Sequence, residues 1–244
     1  MILSILKGFE DLFKSTSSSF KSSLIIILIL CIILPILGSL FKKRDPLKEP
    51  KGIVLLCEML VSWVNGTVKE LIGSRWKRFA PWITTIAIFI FISNIAGMFG
   101  LTSPTANVFI TLALGLISGF YIQFAGIKYQ GFKNYIKSTF LEPSPIMLPL
   151  NIISEVLTPF SLALRLFGNI MSGSVIMGLI YAAIIGFLSE ITPVLGIGVA
   201  AVVTPVFHAI FDIFFGAIQT FVFMLLTTVF ISGKLPDEEL TTEN

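Results

Sequence analysis

An uncharged stretch from residue 79 to residue 127 is the feature that most constrains the fold of this chain. A transmembrane helix needs about 20 apolar residues, so this stretch is too long for one crossing. It is interrupted at 100–104, where glycine, serine and proline favour a turn. We therefore predict two membrane-crossing helices, at 82–100 and 106–127.

The composition is that of a membrane protein. Of the 244 residues, 55% are hydrophobic and 13% are charged, whereas a soluble domain carries about 25% charged residues. No polar segment is long enough to build a soluble core. Cys31 and Cys57 lie in apolar surroundings without metal-ligand spacing, so we expect no metal and no other cofactor.

The remaining apolar sequence predicts one further crossing and one long hairpin. Residues 22–41 are uncharged and long enough to span once. Residues 151–187 and 193–232 are much longer. A helix of that length runs on the order of 55 Å against about 30 Å of hydrocarbon, so each must tilt strongly or bend. We predict a tilted helical hairpin that turns just before Pro193.

Residues 53–72 follow a different pattern. Apolar residues recur at helical spacing on one face, and polar residues fall on another. This amphipathic pattern favours a helix lying along the membrane interface, with a poor membrane crossing as the alternative. The predicted fold class is all-α: a polytopic membrane protein with five crossing helices and one interfacial helix. Residues 1–244 form a single membrane domain that ends in an acidic tail at 233–244.

Basic side chains predict the orientation. Residues 42–52, 69–78 and 128–137 are rich in Lys and Arg, and five crossings place all three segments on one side. The positive-inside rule makes that side the cytoplasm, which leaves the N-terminus outside and the C-terminus inside. Residues 1–22 show no transit or cleavable segment, which favours the plasma membrane of a bacterium.

Arg165 stands alone as a charge inside a long apolar run. An arginine near the bilayer centre costs about 2.5–3.5 kcal/mol on insertion scales, so such a residue indicates function. Asn169 lies one helical turn later and shares its face. Gly168 and Gly173 keep the surroundings small, which lets another helix approach closely.

The second arm of the hairpin carries the titratable groups. His208, Asp212 and Gln219 follow at spacings of four and seven, on one helical face. Asp212 is the only acid between residues 191 and 233. A fixed cation on one arm and a carboxylate beside an imidazole on the other predict a proton path through the membrane.

Structural roles are the alternatives for these residues. Arg165 and Asp212 could form an ion pair that only holds the hairpin together, and His208 could merely hydrogen-bond within the bundle. Buried amides can also join helices, at about 0.6 kcal/mol each. We apply that interpretation to Asn94 and Asn107 and keep it open for Gln219.

Two glutamates near the ends of the first arm have two interpretations each. Glu155 lies near the start of the arm, where it either lines a water-filled mouth or is simply solvated. Glu190 lies in the predicted turn, where it is either a solvated loop acid or a group that gathers protons at the outer mouth.

These residues carry a family resemblance. The stretch Pro159-x-Ser161-Leu162-x-Leu164-Arg165-Leu166-Phe167-Gly168-Asn169 resembles the signature of subunit a of the F-type ATP synthase. The stretch Gln219-Thr220-Phe221-Val222-Phe223-Met224-Leu225-Leu226-Thr227 is similar to that family's last helix, and the Pro104-Thr105-Ala106-Asn107 turn is similar as well. The resemblance covers nearly the whole chain.

The resemblance implies a non-catalytic stator subunit. Two offset half-channels would carry protons to and from the carboxylates of a rotating c-ring and so couple the gradient to ATP synthesis. Arg165 would be the family's essential arginine, with Asn169 and Gln219 at polar positions nearby. The implied partners are the c-ring, the peripheral-stalk b subunits, the other synthase subunits and the lipid membrane, with no nucleic acid.

The sequence departs from the family pattern at one position. Many members carry a glutamate nine residues after the arginine, where this chain has Ser174. Asp212 stands where other members have histidine or glutamate on the last helix. We expect Asp212 to be the main protonatable group of the outer half-channel, with Ser174 as a relay facing away from the ring. His208 matches no family site.

Two other functions fit parts of the pattern. A self-contained transporter would use Arg165 to bind an anion, and it would be expected to show an internal repeat, which is not found. A membrane-embedded enzyme would need a cluster of catalytic side chains, and the chain has a single histidine. Whether a stator subunit conducts protons or sodium ions depends on ring residues in another chain.

Overall fold

The computed structural model describes residues 18–42, 52–99, 101–141, 145–189 and 192–236. Glu190 and all but the first four residues of the predicted acidic tail lie outside the described residues. The α-helices in this part of the chain are α1 Ser18–Lys42, α2 Ile53–Ile72, α3 Trp76–Ile95, α4 Val108–Gln130, α5 Phe132–Ile136, α6 Leu148–Ser189, α7 Pro193–His208 and α8 Gly216–Ser232.

The all-α polytopic fold class is confirmed. Within the described ranges, five helices are long and apolar enough to cross a membrane. One of them runs from Val54 to Phe99, because the 3₁₀ turn Gly73–Arg75 joins α2 to α3 without a break. A π-helical segment, Ala209–Phe215, likewise joins α7 to α8, so that they form one continuous arm.

Helix α2 buries one face and exposes the other. Val64, Val68 and Ile72 recur at a spacing of four and are at most 2% exposed, in a core shared with α3 and α8. Met59 and Trp63 remain more than half exposed. Only the second half of the predicted apolar face is buried, because Leu56 and Leu60 are 66% and 43% exposed. The position of α2 along the membrane interface remains a prediction.

Basic and aromatic side chains gather at one end of the bundle, which we call the basic end. The Arg75 guanidinium lies 4.1 Å from the centre of the Tyr129 ring. Arg78 donates a hydrogen bond to the same tyrosine at 3.1 Å. Lys234, which follows α8, contacts Thr139 and Glu155. The starts of α3 and α6 and the ends of α4 and α8 therefore share this end, and the 101–107 turn lies at the opposite end.

Two glycines let α4 approach α6 closely. A Cβ built on Gly115 would lie 2.5 Å from the Pro159 carbonyl oxygen and 2.8 Å from the Ala163 Cβ. A Cβ on Gly119 would lie 2.7 Å from the Pro159 Cβ. Gly115 and Gly119 form a small-xxx-small pattern, which allows close packing of membrane helices. This contact fixes the part of α6 that leads to Arg165.

The long hairpin keeps a constant antiparallel register. Glu155 on α6 contacts Lys234, and Tyr181 further along α6 contacts His208 on the returning arm. Glu155 and Tyr181 are 26 residues apart on the first arm, and His208 and Lys234 are 26 residues apart on the second. The equal spacing means that the two arms keep one register along their length. Helix α6 has 42 residues, or about 63 Å of helix, and must tilt in a membrane.

Candidate functional site

Arg165 lies on an uncovered face of α6. Its side chain is exposed and has no hydrogen-bond or ion-pair partner within the part of the chain that the structure describes. A Cβ built on Gly168 would meet no atom within 4 Å. Leu164, Met171 and Val175 are each more than half exposed around it. We call these five residues the open face of α6.

Asn169 and Gln219 join the two arms one turn beyond Arg165. The Asn169 amide donates a hydrogen bond to the side-chain oxygen of Gln219. Gln219 is 3% exposed, and its Nε2 finds no partner among the described residues. The pair brings polar atoms to the hairpin interior beside the arginine, while its hydrogen bond also serves as interhelical glue.

Three side chains form a hydrogen-bonded chain further from the basic end. His208 Nδ1 lies 2.7 Å from Asp212 Oδ2, one turn away on the same arm. Its Nε2 lies 2.7 Å from the Tyr181 hydroxyl on α6. The side chains of His208 and Asp212 are 31% and 22% exposed. The imidazole thus connects a carboxylate to a phenol across the hairpin, and both His208 and Asp212 remain partly exposed.

The π-helical segment Ala209–Phe215 carries Asp212 at its centre. Its wider turn changes the direction of the side chains on the arm, and π-helical turns often mark functional sites. On the other side, Asp212 approaches the 3₁₀ turn Ala96–Phe99. A Cβ built on Gly97 would lie 3.4 Å from Asp212 Oδ2, so the glycine leaves room beside the carboxylate.

Arg165 and Asp212 lie at different levels of the hairpin. Arg165 precedes Asn169 by four residues, and Asp212 precedes Gln219 by seven on the antiparallel arm. Because Asn169 and Gln219 meet, about 16 Å of helix separates the two charged residues. Asp212 pairs with His208 instead. The alternative of an Arg165–Asp212 ion pair is therefore wrong.

Ser174 lies between these two levels. It follows Arg165 by nine residues, which places it on the opposite side of α6. Its side chain is exposed rather than packed against the other helices, and its hydroxyl donates to the Met171 carbonyl at 2.8 Å. No described residue other than Met171 is hydrogen-bonded to this hydroxyl.

The two asparagines outside the hairpin differ. Asn94 donates to the Gly216 carbonyl at 3.2 Å and accepts from Thr105 at 2.9 Å, so it joins α3 to α8 as predicted. Asn107 caps α4, since its side-chain oxygen accepts from the Phe109 amide at 2.9 Å. The prediction that Asn107 joins helices is wrong, because its side chain accepts a hydrogen bond from a backbone amide of the first helical turn, which has no partner within the helix.

Glu155 is an ion-paired residue near the basic end. Lys234 donates to one carboxylate oxygen, and Gln123 donates to the other at 2.6 Å. The side chains of Lys234 and Glu155 are 15% and 21% exposed. The interpretation of Glu155 as a simply solvated acid is therefore wrong, because α4 and the end of α8 both hold it.

A cavity of about 610 Å³ lies beside this ion pair. Its walls are mostly apolar, and Gln123, Glu155 and Pro159 are among the lining residues. Tyr135 packs nearby, under the Lys234 ammonium at 5.4 Å from its ring centre. Burial raises the pKa of the Tyr135 phenol, and the Glu155 carboxylate raises it further.

The structure adds three residues that the sequence interpretation missed. Tyr181, Gln123 and Lys234 each contact a predicted site residue, but none is distinctive in its own segment. Each pairing depends on the packing of helices distant in sequence. Across the described ranges, no group of three His, Cys, Asp or Glu side chains is placed to hold a metal ion.

The chain is similar in sequence to subunits of known ATP synthases. Residues 23–232 match the family described as ATP synthase A chain. The chain is 36% identical to ATP synthase subunit a 2 of Bradyrhizobium sp. over 187 residues, 76% of each chain. It is 34% identical to subunit a of Sulfurihydrogenibium sp., over 90% of this chain and 99% of the relative.

A third relative matches over a similar length. Subunit a of Listeria monocytogenes is 31% identical over 231 residues, which cover 89% of this chain and 92% of the relative. A bacterial subunit a with several membrane-crossing helices is a multi-pass plasma-membrane protein that associates with the rest of the synthase complex. The chain therefore belongs to the ATP synthase A chain family, as subunit a, the non-catalytic proton-channel stator subunit of the rotary F-type ATP synthase.

Proposed function

We propose that the open face of α6 receives the carboxylates of the c-ring and that Arg165 governs their ionisation. A cation about 4 Å from a carboxylate is worth about 4 kcal/mol at an effective dielectric of 20. That equals about three pKa units, enough to remove a proton from a passing carboxylate. The same charge repels hydronium that would otherwise leak between the two half-channels.

The exposure of Arg165 carries this proposal. A charge at membrane depth without a partner in the described chain needs one from outside it. In the most apolar 18-residue stretch of α6, only 6% of residues are buried within the chain. A second protein that brings carboxylates satisfies the charge and covers the helix together, which the anion transporter hypothesis does not.

The outer half-channel is assigned to the part of the hairpin between Arg165 and the end of the bundle opposite the basic end. Asp212 is its main proton-binding group, because its side chain is partly exposed and lies clear of the arginine. Ser174 and the Asn169–Gln219 pair lie between Asp212 and Arg165, where they offer polar atoms to bridging water. Glu190 would gather protons at the outer mouth.

The inner half-channel is assigned to the basic end. Glu155 lies ten residues before Arg165, or about 15 Å of helix, and it faces the cavity that opens there. A proton released from the ring beside Arg165 would leave through this region. The peripheral-stalk b subunits and lipid would cover apolar surfaces of the other helices, such as the exposed side of α2.

Replacement of the arginine tests the central assignment. In membranes that carry the whole complex, Arg165→Ala should abolish ATP-driven proton pumping at normal levels of assembled complex. Arg78→Ala is the matched control, since it removes a guanidinium that hydrogen-bonds to Tyr129 and does not line the cavity of the proposed inner half-channel. Normal pumping by Arg165→Ala would exclude this function for the residue.

A second comparison tests the outer half-channel. Asp212→Asn keeps the shape of the side chain and removes its proton exchange, so proton flux should fall by about a hundredfold. Ser174→Ala should reduce flux by only a fewfold, because water can replace a hydroxyl in a hydrated path. Equal losses in the two variants would show that the half-channel lies elsewhere.

The proposed orientation has the N-terminus outside and the C-terminus in the cytoplasm of a bacterium. It is supported by the basic end, which the positive-inside rule assigns to the cytoplasm. Single cysteines at Lys133 and Thr192, with Cys31 and Cys57 replaced, can be labelled in intact cells with an impermeant maleimide. Thr192→Cys should react and Lys133→Cys should not, and the reverse result would invert the topology.

A further inference from the structure

The structure places an imidazole between the proposed outer carboxylate and a phenol on the other arm. His208 is the only residue among those described that contacts both Asp212 and Tyr181 by hydrogen bonds. Neither His208 nor Tyr181 belongs to the stretches that carry the family resemblance. The contact closes the hairpin at the level where protons would arrive from outside.

We propose that His208 is the proton donor to Asp212 and that Tyr181 is the positioning residue that holds its ring. This inference rests on the proposed function, in which Asp212 serves the outer half-channel. The ionised Asp212 carboxylate would accept a hydrogen bond from Nδ1–H at 2.7 Å. Nε2 would then accept one from the Tyr181 hydroxyl, which holds the ring and its tautomer.

The proton transfer balances with water as the only co-reactant. Hydronium from the outer side gives a proton to the Tyr181 oxygen and leaves as water, while the Tyr181 O–H proton moves to Nε2, which gives an imidazolium with a proton on each nitrogen. The Nδ1–H bond breaks as the Oδ2–H bond forms, so the imidazole returns to neutral and Asp212 becomes a carboxylic acid. Once Asp212 has passed its proton on, water takes the Nε2 proton and supplies one to Nδ1, which restores the starting tautomer.

The surroundings of His208 favour this role over a structural one. Its side chain is 31% exposed, so the ring is not enclosed by the bundle and is open to a proton donor from outside the chain. Tyr181 from α6 and Asp212 from the same arm are the titratable groups that contact it within the described chain. A histidine that only joined helices would not need a carboxylate at hydrogen-bond distance on its second nitrogen.

The test measures ATP synthesis by the whole complex in liposomes at a fixed driving force. The pH of the compartment that faces the His208 end is varied, and a potassium potential compensates for the change. At acidic outer pH, hydronium can protonate Asp212 directly. At alkaline outer pH hydronium is scarce, and an imidazole that captures protons should matter most.

His208→Gln should therefore lose about twofold at outer pH 6 and about tenfold at outer pH 8.5. Tyr181→Phe should lose less, about threefold at the alkaline end, and should add nothing in the His208→Gln background. Tyr129→Phe, which removes a phenol at the basic end, is the matched control and should leave the outer pH profile unchanged.

Two results would overturn the inference. A loss by the same factor at every outer pH would indicate a structural role, and additive losses in the double variant would mean that Tyr181 does not act through His208. Failure of the proposed function is separate. It would appear as normal synthesis in Arg165→Ala and Asp212→Asn, whereas failure of this inference leaves the losses of both variants as predicted above.

Discussion

Glu155 and Lys234 form an ion pair that joins the start of α6 to the segment just beyond α8. The side chains are separated by 79 positions in the sequence and are 21% and 15% exposed. Gln123 from α4 donates to the same carboxylate at 2.6 Å. Three helices are thus fixed to one carboxylate at the basic end, beside the proposed inner mouth.

Removal of the lysine should destabilise this end of the fold. Lys234→Met leaves the Glu155 carboxylate with Gln123 as its remaining described partner, which should cost about 1–3 kcal/mol of unfolding free energy. The exchange Glu155→Lys with Lys234→Glu should recover most of the loss. Thermal unfolding of the purified complex in detergent measures both, with the exposed Lys133→Met as control. Additive losses in the exchanged variant would show that the pair is not coupled.

Ionisation of the Tyr135 phenol should lower the stability of the folded protein at alkaline pH. Burial raises the pKa of this phenol, and the Glu155 carboxylate adds to the effect. The raised pKa means that folding favours the neutral form, so its stabilisation is intact below the ordinary value of about 10. It is lost as the pH rises from there through the raised value.

Tyr135→Phe should therefore behave like the wild type at pH 7 and decline less between about pH 10 and pH 11. Unfolding temperature measured across that range checks the difference between the two proteins. A parallel decline in the variant and the wild type would show that this phenol does not set the alkaline limit.

The sequence predicted those parts of the site that follow from the free energy of placing charged and long apolar segments in a membrane. An arginine within an apolar run is expensive wherever the run folds, so Arg165 could be identified before any contact was known. The length of the runs on both sides of Pro193 likewise required a long tilted hairpin. The interpretation of Asn94 was correct because a buried amide in a bundle needs partners on neighbouring helices.

Contacts between distant helices could not be predicted in the same way. The pairing of Tyr181 with His208 depends on the register of the hairpin, and a shift by one residue would remove it. The π-helical turn around Asp212 has no distinctive composition. Other signals were present but overlooked: Asn107 stands directly before an apolar helix, where capping is expected, and Gly115 and Gly119 form a small-xxx-small pattern.

Gly115→Ala should destabilise the contact between α4 and α6. The added methyl would lie 2.5 Å from the Pro159 carbonyl oxygen, which belongs to the backbone and cannot move independently. Overpacking of this kind costs about 1–3 kcal/mol, and it should shift the α6 segment that precedes Arg165. Thermal unfolding should fall, and ATP-driven pumping per assembled complex should fall with it.

Gly66→Ala is the matched control for that substitution. A Cβ on Gly66 meets no atom within 4 Å, so the methyl should be accommodated on α2. Alanine is favoured over glycine inside a helix by about 0.5–1 kcal/mol, so this variant should be unchanged or slightly more stable. Equal destabilisation by both substitutions would mean that the close approach of α4 and α6 is not what limits Gly115.

The Asn169–Gln219 pair allows its structural role to be separated from its role in proton transfer. Asn169→Leu leaves both polar atoms of the buried Gln219 amide without a described partner, which should cost about 1–3 kcal/mol. Adding Gln219→Leu removes the amide that has lost its partner. Thermal stability should then recover, because replacing both partners of a hydrogen bond by apolar groups is nearly neutral. Proton pumping should not recover, because the path between Asp212 and Arg165 has then lost two groups that bind water. If pumping returned together with stability, the two amides would be interhelical glue and nothing more.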